Sequence, residues 1–301
     1  NSIRPNLVNQ DDSGARYILK FIRRLCVAQV NNGSAKQSSW LRHTIDPADK
    51  VAGKLGADGM RLADFNDDGL LDITTGWEQG GAIVVYQNPG PAKAKSVWPS
   101  VTVGIVRSPE DAVFADLDGD GNLDVVSSCE GREQSMYVHW APAEQTDYLK
   151  SSAWATEVIV ATKQKQSWMF AEPAQIDARA GFDLFVSSKG ANGSIGWLKL
   201  PTDLQQARKV SKWQFIKLRD AGWIMTLKAL DMDGDGDSDL LFSDRKGTKR
   251  GVSWLENPGG EKVSSRGAWK EHALGGREHE VMFLSAVSYT HLRAHEPRHD
   301  L

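Results

Sequence analysis

Short apolar runs separated by Gly-, Asp- and Pro-rich breaks recur along the chain, and no apolar pattern keeps a helical period for long. A lead-in run (MRLA, AVFA, MTLKAL) comes first and is followed by an acidic stretch. A second run then begins on aspartate (DITTGW, DVVSS, DLFVSS, DLLFSD). After a polar loop, a third run closes on Pro89, Pro142, Pro201 or Pro258. The fourth run opens on tryptophan, at Trp40, Trp98, Trp154, Trp213 and Trp269, with spacings of 58, 56, 59 and 56 residues. Four short runs with turn signals between them predict four strands per repeat. A four-stranded unit of about 57 residues suits a propeller blade better than a solenoid coil, whose repeats are usually shorter. The predicted fold is therefore all-β, a β-propeller of four-stranded blades over residues 38–286. About four blades are present, and REHEVMFLSA (277–286) starts a fifth. Helical turns are expected only in 145–155 and 203–210.

The acidic stretches share the pattern D-x-[DN]-x-D-G-x-x-D. Side chains at positions 1, 3, 5 and 9 are Asp64, Asn66, Asp68 and Asp72 in the first copy. They are Asp116, Asp118, Asp120 and Asp124 in the second, and Asp231, Asp233, Asp235 and Asp239 in the fourth. Alternate oxygen donors on a tightly curled backbone converge on one point, and hard oxygen ligands suit calcium. Glycine at position 6 (Gly69, Gly121, Gly236) permits the turn, and the main-chain carbonyl at position 7 (Leu70, Asn122, Asp237) completes the expected cage. Asp and Gly also favour plain tight turns, but three copies at matched phase argue for a cation, giving about three Ca2+ sites. Magnesium, which keeps its water and demands a stricter octahedron, fits less well. The third copy, DARAGFDLFV (177–186), keeps Asp177 and Asp183 with Arg179 between them, so the arginine is expected to stand in for a cation there.

The EF-hand loop begins in the same way but needs a glutamate at position 12 and flanking helices. Position 12 here is Thr75, Ser127 or Phe242, and the flanks read as strands. The loops instead resemble FG-GAP repeats, also called VCBS-type repeats, of integrin α-subunit propellers and many secreted bacterial proteins. That resemblance implies a calcium loop between the innermost strand and the next, facing the lower side of the propeller. It also implies a full-length propeller of seven blades, more than this chain supplies.

On the opposite face, the loops between repeats and between second and third runs would ring the axis. They carry Trp77, Glu78, Asp111, Arg132, Trp168, Lys189, Trp223, Arg245 and Lys246 as a candidate ligand rim. Mixed charge with aromatic rings suits a polysaccharide or another polar ligand; the plainer alternative is that Trp168 and Trp223 pack between blades. No catalytic triad order, paired glycosidase carboxylates or nucleophile elbow can be picked out. The expected function is a noncatalytic binding or scaffold module for a glycan or protein, exported and calcium-stabilised. The alternative is a polysaccharide lyase-like enzyme, because rhamnogalacturonan lyases resemble this architecture and use calcium. The basic cluster Arg245, Lys246, Lys249 and Arg250 is its only local hint.

Composition changes this picture little. Lys+Arg number 36 against Asp+Glu 39, a net charge of -3, which gives no pull toward nucleic acid. No stretch of 18 apolar residues is present, so no transmembrane segment is expected. The two cysteines, Cys26 and Cys129, form no disulfide framework. Loops of this kind fill at millimolar extracellular calcium, which places the expected location outside the cytosol: secreted, periplasmic or cell-surface. Residues 1–37 read as a leader or irregular segment, with ILKFIRRLCVAQV (18–30) too short in its apolar parts to identify as an export signal. Residues 287–301 break the fifth repeat in mid-motif and resemble translated sequencing-adapter read-through. His291, His295 and His299 are therefore not taken as a zinc site.

Overall fold

The structure, a computed structural model, describes residues 41–49, 51–177, 179 and 181–286. Trp40, Cys26, residues 1–37 and the tail 287–301 lie outside the described residues. The described residues form four four-stranded antiparallel sheets, each a meander in chain order and each the form of a propeller blade. Blade 1 contains β1 (Ala57–Ala63), β2 (Asp72–Trp77), β3 (Ala82–Tyr86) and β4 (Ser100–Ile105). Blade 2 contains β5 (Pro109–Ala115), β6 (Asp124–Cys129), β7 (Met136–Trp140) and β8 (Ala155–Val158). Blade 3 contains β9 (Ser167–Ala174), β10 (Asp183–Lys189), β11 (Ser194–Lys199) and β12 (Gln214–Asp220). Blade 4 contains β13 (Ile224–Leu230), β14 (Asp239–Asp244), β15 (Gly251–Glu256) and β16 (Lys270–Gly275).

The innermost strands follow one another, β1 against β5, β5 against β9 and β9 against β13. Among the described residues, β13 makes no comparable contact with β1. Apolar side chains fill the seams between blades, so central strands such as β5 and β6 are buried on both faces. Ile83, Val85 and Val103 of blade 1 meet Phe114 and Val125 of blade 2. Val126 and Val138 of blade 2 meet Trp168 and Leu184 of blade 3, and Phe185 and Trp197 of blade 3 meet Leu227 and Phe242 of blade 4. This is why the strand sequences are nearly continuous apolar runs rather than clean alternations.

The tryptophan ruler has a local cause. Each indole N–H donates to a backbone carbonyl just upstream: Trp98 to Ala94 at 3.0 Å, Trp154 to Tyr148 at 2.9 Å, Trp213 to Ala207 at 2.7 Å and Trp269 to Val263 at 2.8 Å. The expected helical turns in 145–155 and 203–210 are short 3-10 turns, and blade 4 repeats them at Gly260–Ser264 and Arg266–Ala268. Two expectations fail at the ends of the repeat region. The run after Trp40 forms no strand in residues 41–49, whose backbone contacts are an isolated bridge between Asp49 and Lys54 and the Ile45 carbonyl accepting the Trp98 amide at 2.8 Å. Residues 277–286 likewise form no strand of a fifth blade. They lie along blade 4 through single contacts, Ser243 Oγ to the Met282 carbonyl at 2.7 Å and Leu284 N–H to Thr226 Oγ1 at 3.2 Å. Without a ladder partner, these segments have nowhere to place strand hydrogen bonds.

Candidate metal loops and the opposite rim

The three acidic loops connect β1 to β2, β5 to β6 and β13 to β14, all at one end of the blades. Each curls around its first aspartate, which accepts two backbone amides. Asp64 takes them from Asp68 (3.0 Å) and Gly69 (2.8 Å), Asp116 from Gly119 (2.8 Å) and Gly121 (3.1 Å), and Asp231 from Gly234 (2.7 Å) and Gly236 (3.1 Å). The position 5 carboxylate accepts the amide of position 7 in each, at 2.9 Å for Leu70, 2.8 Å for Asn122 and 3.0 Å for Asp237. Position 6 is left-handed in every copy, with φ of 81°, 87° and 93° at Gly69, Gly121 and Gly236, as the curl requires. Position 4 is left-handed too, at Asp67 (57°), Gly119 (74°) and Gly234 (86°), which the sequence pattern did not bring out.

Position 9 has a second task that sequence reasoning missed. One oxygen of Asp72, Asp124 and Asp239 accepts the amide of position 2, from Phe65 (2.9 Å), Leu117 (3.3 Å) and Met232 (2.9 Å). The other accepts an amide just beyond the third strand, from Asn88 (2.6 Å), Ala141 (2.8 Å) and Asn257 (2.7 Å). Asp183 in the third blade does the same for Leu200 at 2.8 Å. All four carboxylates are buried. The signal was present in the sequence, because position 9 is the only acid kept in all four copies together with the first.

Carboxylate oxygens of Asp116, Asp118 and Asp120 lie within 4.8 Å of one another, as do those of Asp231, Asp233 and Asp239. Asp64, Asp68 and Asp72 do not form such a group; position 3 there is Asn66, whose Nδ2 donates to Asp68 Oδ2 at 3.0 Å. Two buried oxygens in these loops, Asn66 Oδ1 and Asp237 Oδ1, have no hydrogen-bond donor. An orphaned buried acceptor is costly, and among all-oxygen neighbours a hard cation is the partner that fits it. The acids are also poorly placed on their own. Burial, then Asp235 and Asp239, hold Asp237 up to about 7; burial, then Asp118, raises Asp124 to about 8; burial raises Asp239 to about 6. In the third copy Arg179 sits between the acids, bonded to Asp177, to Asp183 at 3.4 Å and to Thr202 at 2.7 Å.

At the opposite end, the rim residues part into two groups. Trp77 and Trp168 belong to the core: Trp77 Nε1 donates to the Tyr86 hydroxyl at 3.0 Å, and Trp168 Nε1 to the Thr162 carbonyl at 3.1 Å. Asp111 is buried too, in a two-pronged pair with Arg61 at 3.0 and 2.9 Å. Arg132 is exposed on its loop. The remaining rim residues gather. Glu78 meets Glu110 and Glu130, with carboxylate oxygens within 4.8 Å of one another. Lys189 reaches across from blade 3 to Glu110 (3.2 Å) and to Glu130. Trp223 is partly exposed, and three cations lie near its ring: Lys189 and Arg245 at 4.8 Å and Lys246 at 4.9 Å. Its Nε1 has no acceptor. Burial first, then a hydrogen bond with Glu130, pushes Glu110 up to about 7.

Residues 31–127 match the family model of the FG-GAP-like repeat, a stretch that runs through the first two acidic loops and into β6. Over that stretch the chain is similar to FG-GAP-like repeats, and among the described residues three acidic clusters could hold metal ions, two of them in the aspartate loops and one at the rim. No curated protein matches the chain. Among the described residues, no helix is long and apolar enough to cross a membrane.

Proposed function

We propose that this chain is part of an exported, calcium-braced propeller that binds a polar ligand at the rim, an acidic glycan before any other, without turning it over. Calcium would be held by Asp64, Asn66 and Asp68, by Asp116, Asp118 and Asp120, and by Asp231, Asp233, Asp235 and Asp239, with the position 7 residue of each loop. Its contribution there is neutralisation of crowded acids, and it supplies no chemistry to the ligand. Three loops of that kind support a location where calcium is millimolar.

The observation that carries the ligand reading is the set of cations around Trp223. The indole gathers Lys189, Arg245 and Lys246 around its ring, Lys189 being paired also with Glu110 and Glu130 and Arg245 with Glu280, so an anionic ligand meets charge that is already oriented. Glu78, Glu110 and Glu130 stand beside them as acceptors for hydroxyl groups. Binding of uronate-containing polysaccharides, measured by calorimetry at physiological salt, tests this reading. Trp223→Ala and Lys246→Ala are each expected to weaken binding about tenfold. No affinity for any acidic polysaccharide, or affinity indifferent to both substitutions, overturns it. Release of unsaturated sugar products in the same mixtures would replace it with the lyase reading.

A further inference from the structure

The aspartate loops differ in what already fills them. At position 3, the first loop leaves Asn66 Oδ1 without a donor; at position 7, the fourth loop leaves Asp237 Oδ1 without one. The second loop has both positions satisfied by protein. Asp118, at position 3, accepts the Asp120 amide on Oδ1 (3.3 Å) and Arg208 Nε on Oδ2. Asn122, at position 7, accepts the Tyr148 hydroxyl on Oδ1. Arg208 also brings Nη2 to 3.5 Å from Asp120 Oδ2, at position 5.

Arg208 is not part of that loop or of its blade. It comes from the connection between β11 and β12 in blade 3, and its guanidinium lies 5.1 Å from the centre of the Trp140 ring at the end of blade 2. Leu204 of the same connection packs on both Gly119 and Gly181, where an added Cβ would come within 2.7 and 2.8 Å of its methyl groups. The connection therefore lies over the second and third loops together. In the third, Arg179 from within the loop takes the acids; in the second, an arginine is lent by the neighbouring blade.

We propose that Arg208 competes with calcium for Asp118 and Asp120, making the second loop the weakest of the three cation sites and coupling its occupancy to release of the 203–208 connection. This rests on the calcium reading above. A cation at the second loop and a guanidinium on the same two carboxylates oppose each other, and the coupling is reciprocal. Arg208 is half exposed, at 48%, so the competition is moderate.

The test is calcium titration by calorimetry on four chains: the unaltered chain, Arg208→Gln, Asp116→Asn and the double variant. Arg208→Gln is expected to tighten the weakest class of sites roughly fivefold, the equivalent of about 1 kcal/mol. Asp116→Asn removes that class, and on this background Arg208→Gln changes nothing. Hydrogen exchange supplies a second readout: calcium slows exchange at 231–239 but speeds it at 204–208 in the unaltered chain. Unchanged or weaker calcium binding in Arg208→Gln, or a fivefold gain that survives Asp116→Asn, overturns the inference. If no chain binds calcium at all, the calcium reading falls first and the inference with it.

Discussion

The two ends of the blades are built on opposite plans. At the aspartate end the same contacts recur blade after blade, down to the amide just beyond the third strand that Asp72, Asp124, Asp183 and Asp239 each accept. At the rim one backbone bond recurs, from Glu78 to Gly56, Glu130 to Ser108 and Arg245 to Trp223. The side chains there change along the blades: blades 1 and 2 give Glu78, Glu110 and Glu130, blade 3 gives Lys189 and blade 4 gives Trp223, Arg245 and Lys246. Repetition marks what every blade needs in order to stand. A contact that each blade makes differently is free to serve a single ligand, since no fold-wide requirement fixes it.

The comparison breaks most sharply at position 9. Asp124→Ala strands two buried amides in a blade with a full acidic loop, those of Leu117 and Ala141, whereas Asp183→Ala strands one, that of Leu200, and removes a partner of Arg179. Asp124→Ala is expected to cost about 3 kcal/mol and Asp183→Ala about 2 kcal/mol in urea unfolding, with or without calcium, because bracing here is by hydrogen bonds. Glu78→Gln at the rim, which removes one of three mutually repelling carboxylates, is expected to change stability by less than about 0.5 kcal/mol. Equal costs at the two ends would end the distinction between brace and site.

Much of the aspartate end was legible in the sequence because it repeats. Matched phase in three copies identified Asp64, Asp116 and Asp231 as the first oxygen donor of each loop and Arg179 as the odd residue in the third. Phase could not show that position 9 looks inward to two amides, since a ligand and a brace use the same carboxylate. The rim was only half legible, for a geometric reason. The innermost strands carry a bulge near the rim, between Pro109 and Asp111 in blade 2 and between Ile224 and Thr226 in blade 4. A bulge inserts a residue and reverses the alternation beyond it. In the segment RSPED it is therefore Glu110 that joins the cluster while Asp111 turns inward to Arg61. Trp77 and Trp168 were indistinguishable by composition from Trp223, yet only their N–H groups found acceptors within the core.

A second effect, of about 2 kcal/mol, separates the metal from the acids that would hold it. Asp124 is buried and held up at about 8, whereas in the unfolded chain it titrates near the ordinary value of about 3.9. Between those values the folded state binds the extra proton, so stability falls as pH rises through that window. His139 acts in the opposite sense. Buried between Ser127 Oγ and Thr156 Oγ1 at 2.9 Å each, it is lowered to about 3, and it removes stability only as pH falls below about 6.5. Between pH 6.5 and 8 His139 no longer contributes, and Asp237 and Glu110, each held up to about 7, act in the same sense as Asp124. In chelator, the melting temperature is expected to fall by several degrees across that interval. With calcium present the whole curve should lie several degrees higher and the slope should flatten, because a bound cation favours the ionised acids. Superimposable melts with and without chelator would remove the cation from the aspartate end.

The smallest effect lies within the repetition itself. Position 4 of the loop is left-handed in all three copies, but only the first copy puts a residue other than glycine there. Asp67, at φ 57°, bears the steric cost that Gly119 and Gly234 avoid. Asp67→Gly is therefore expected to raise stability by about 0.5 kcal/mol, the gain from relieved strain being partly cancelled by the freer unfolded chain. The reverse change, Gly119→Asp, should cost more than strain alone, because a Cβ there comes within 2.7 Å of Leu204 Cδ1 in the connection that carries Arg208. Guanidinium-induced unfolding of the two variants, compared at equal calcium, measures both. If Asp67→Gly instead destabilises the chain, its carboxylate belongs to the first loop's binding set, and that loop departs from the plan of the other two.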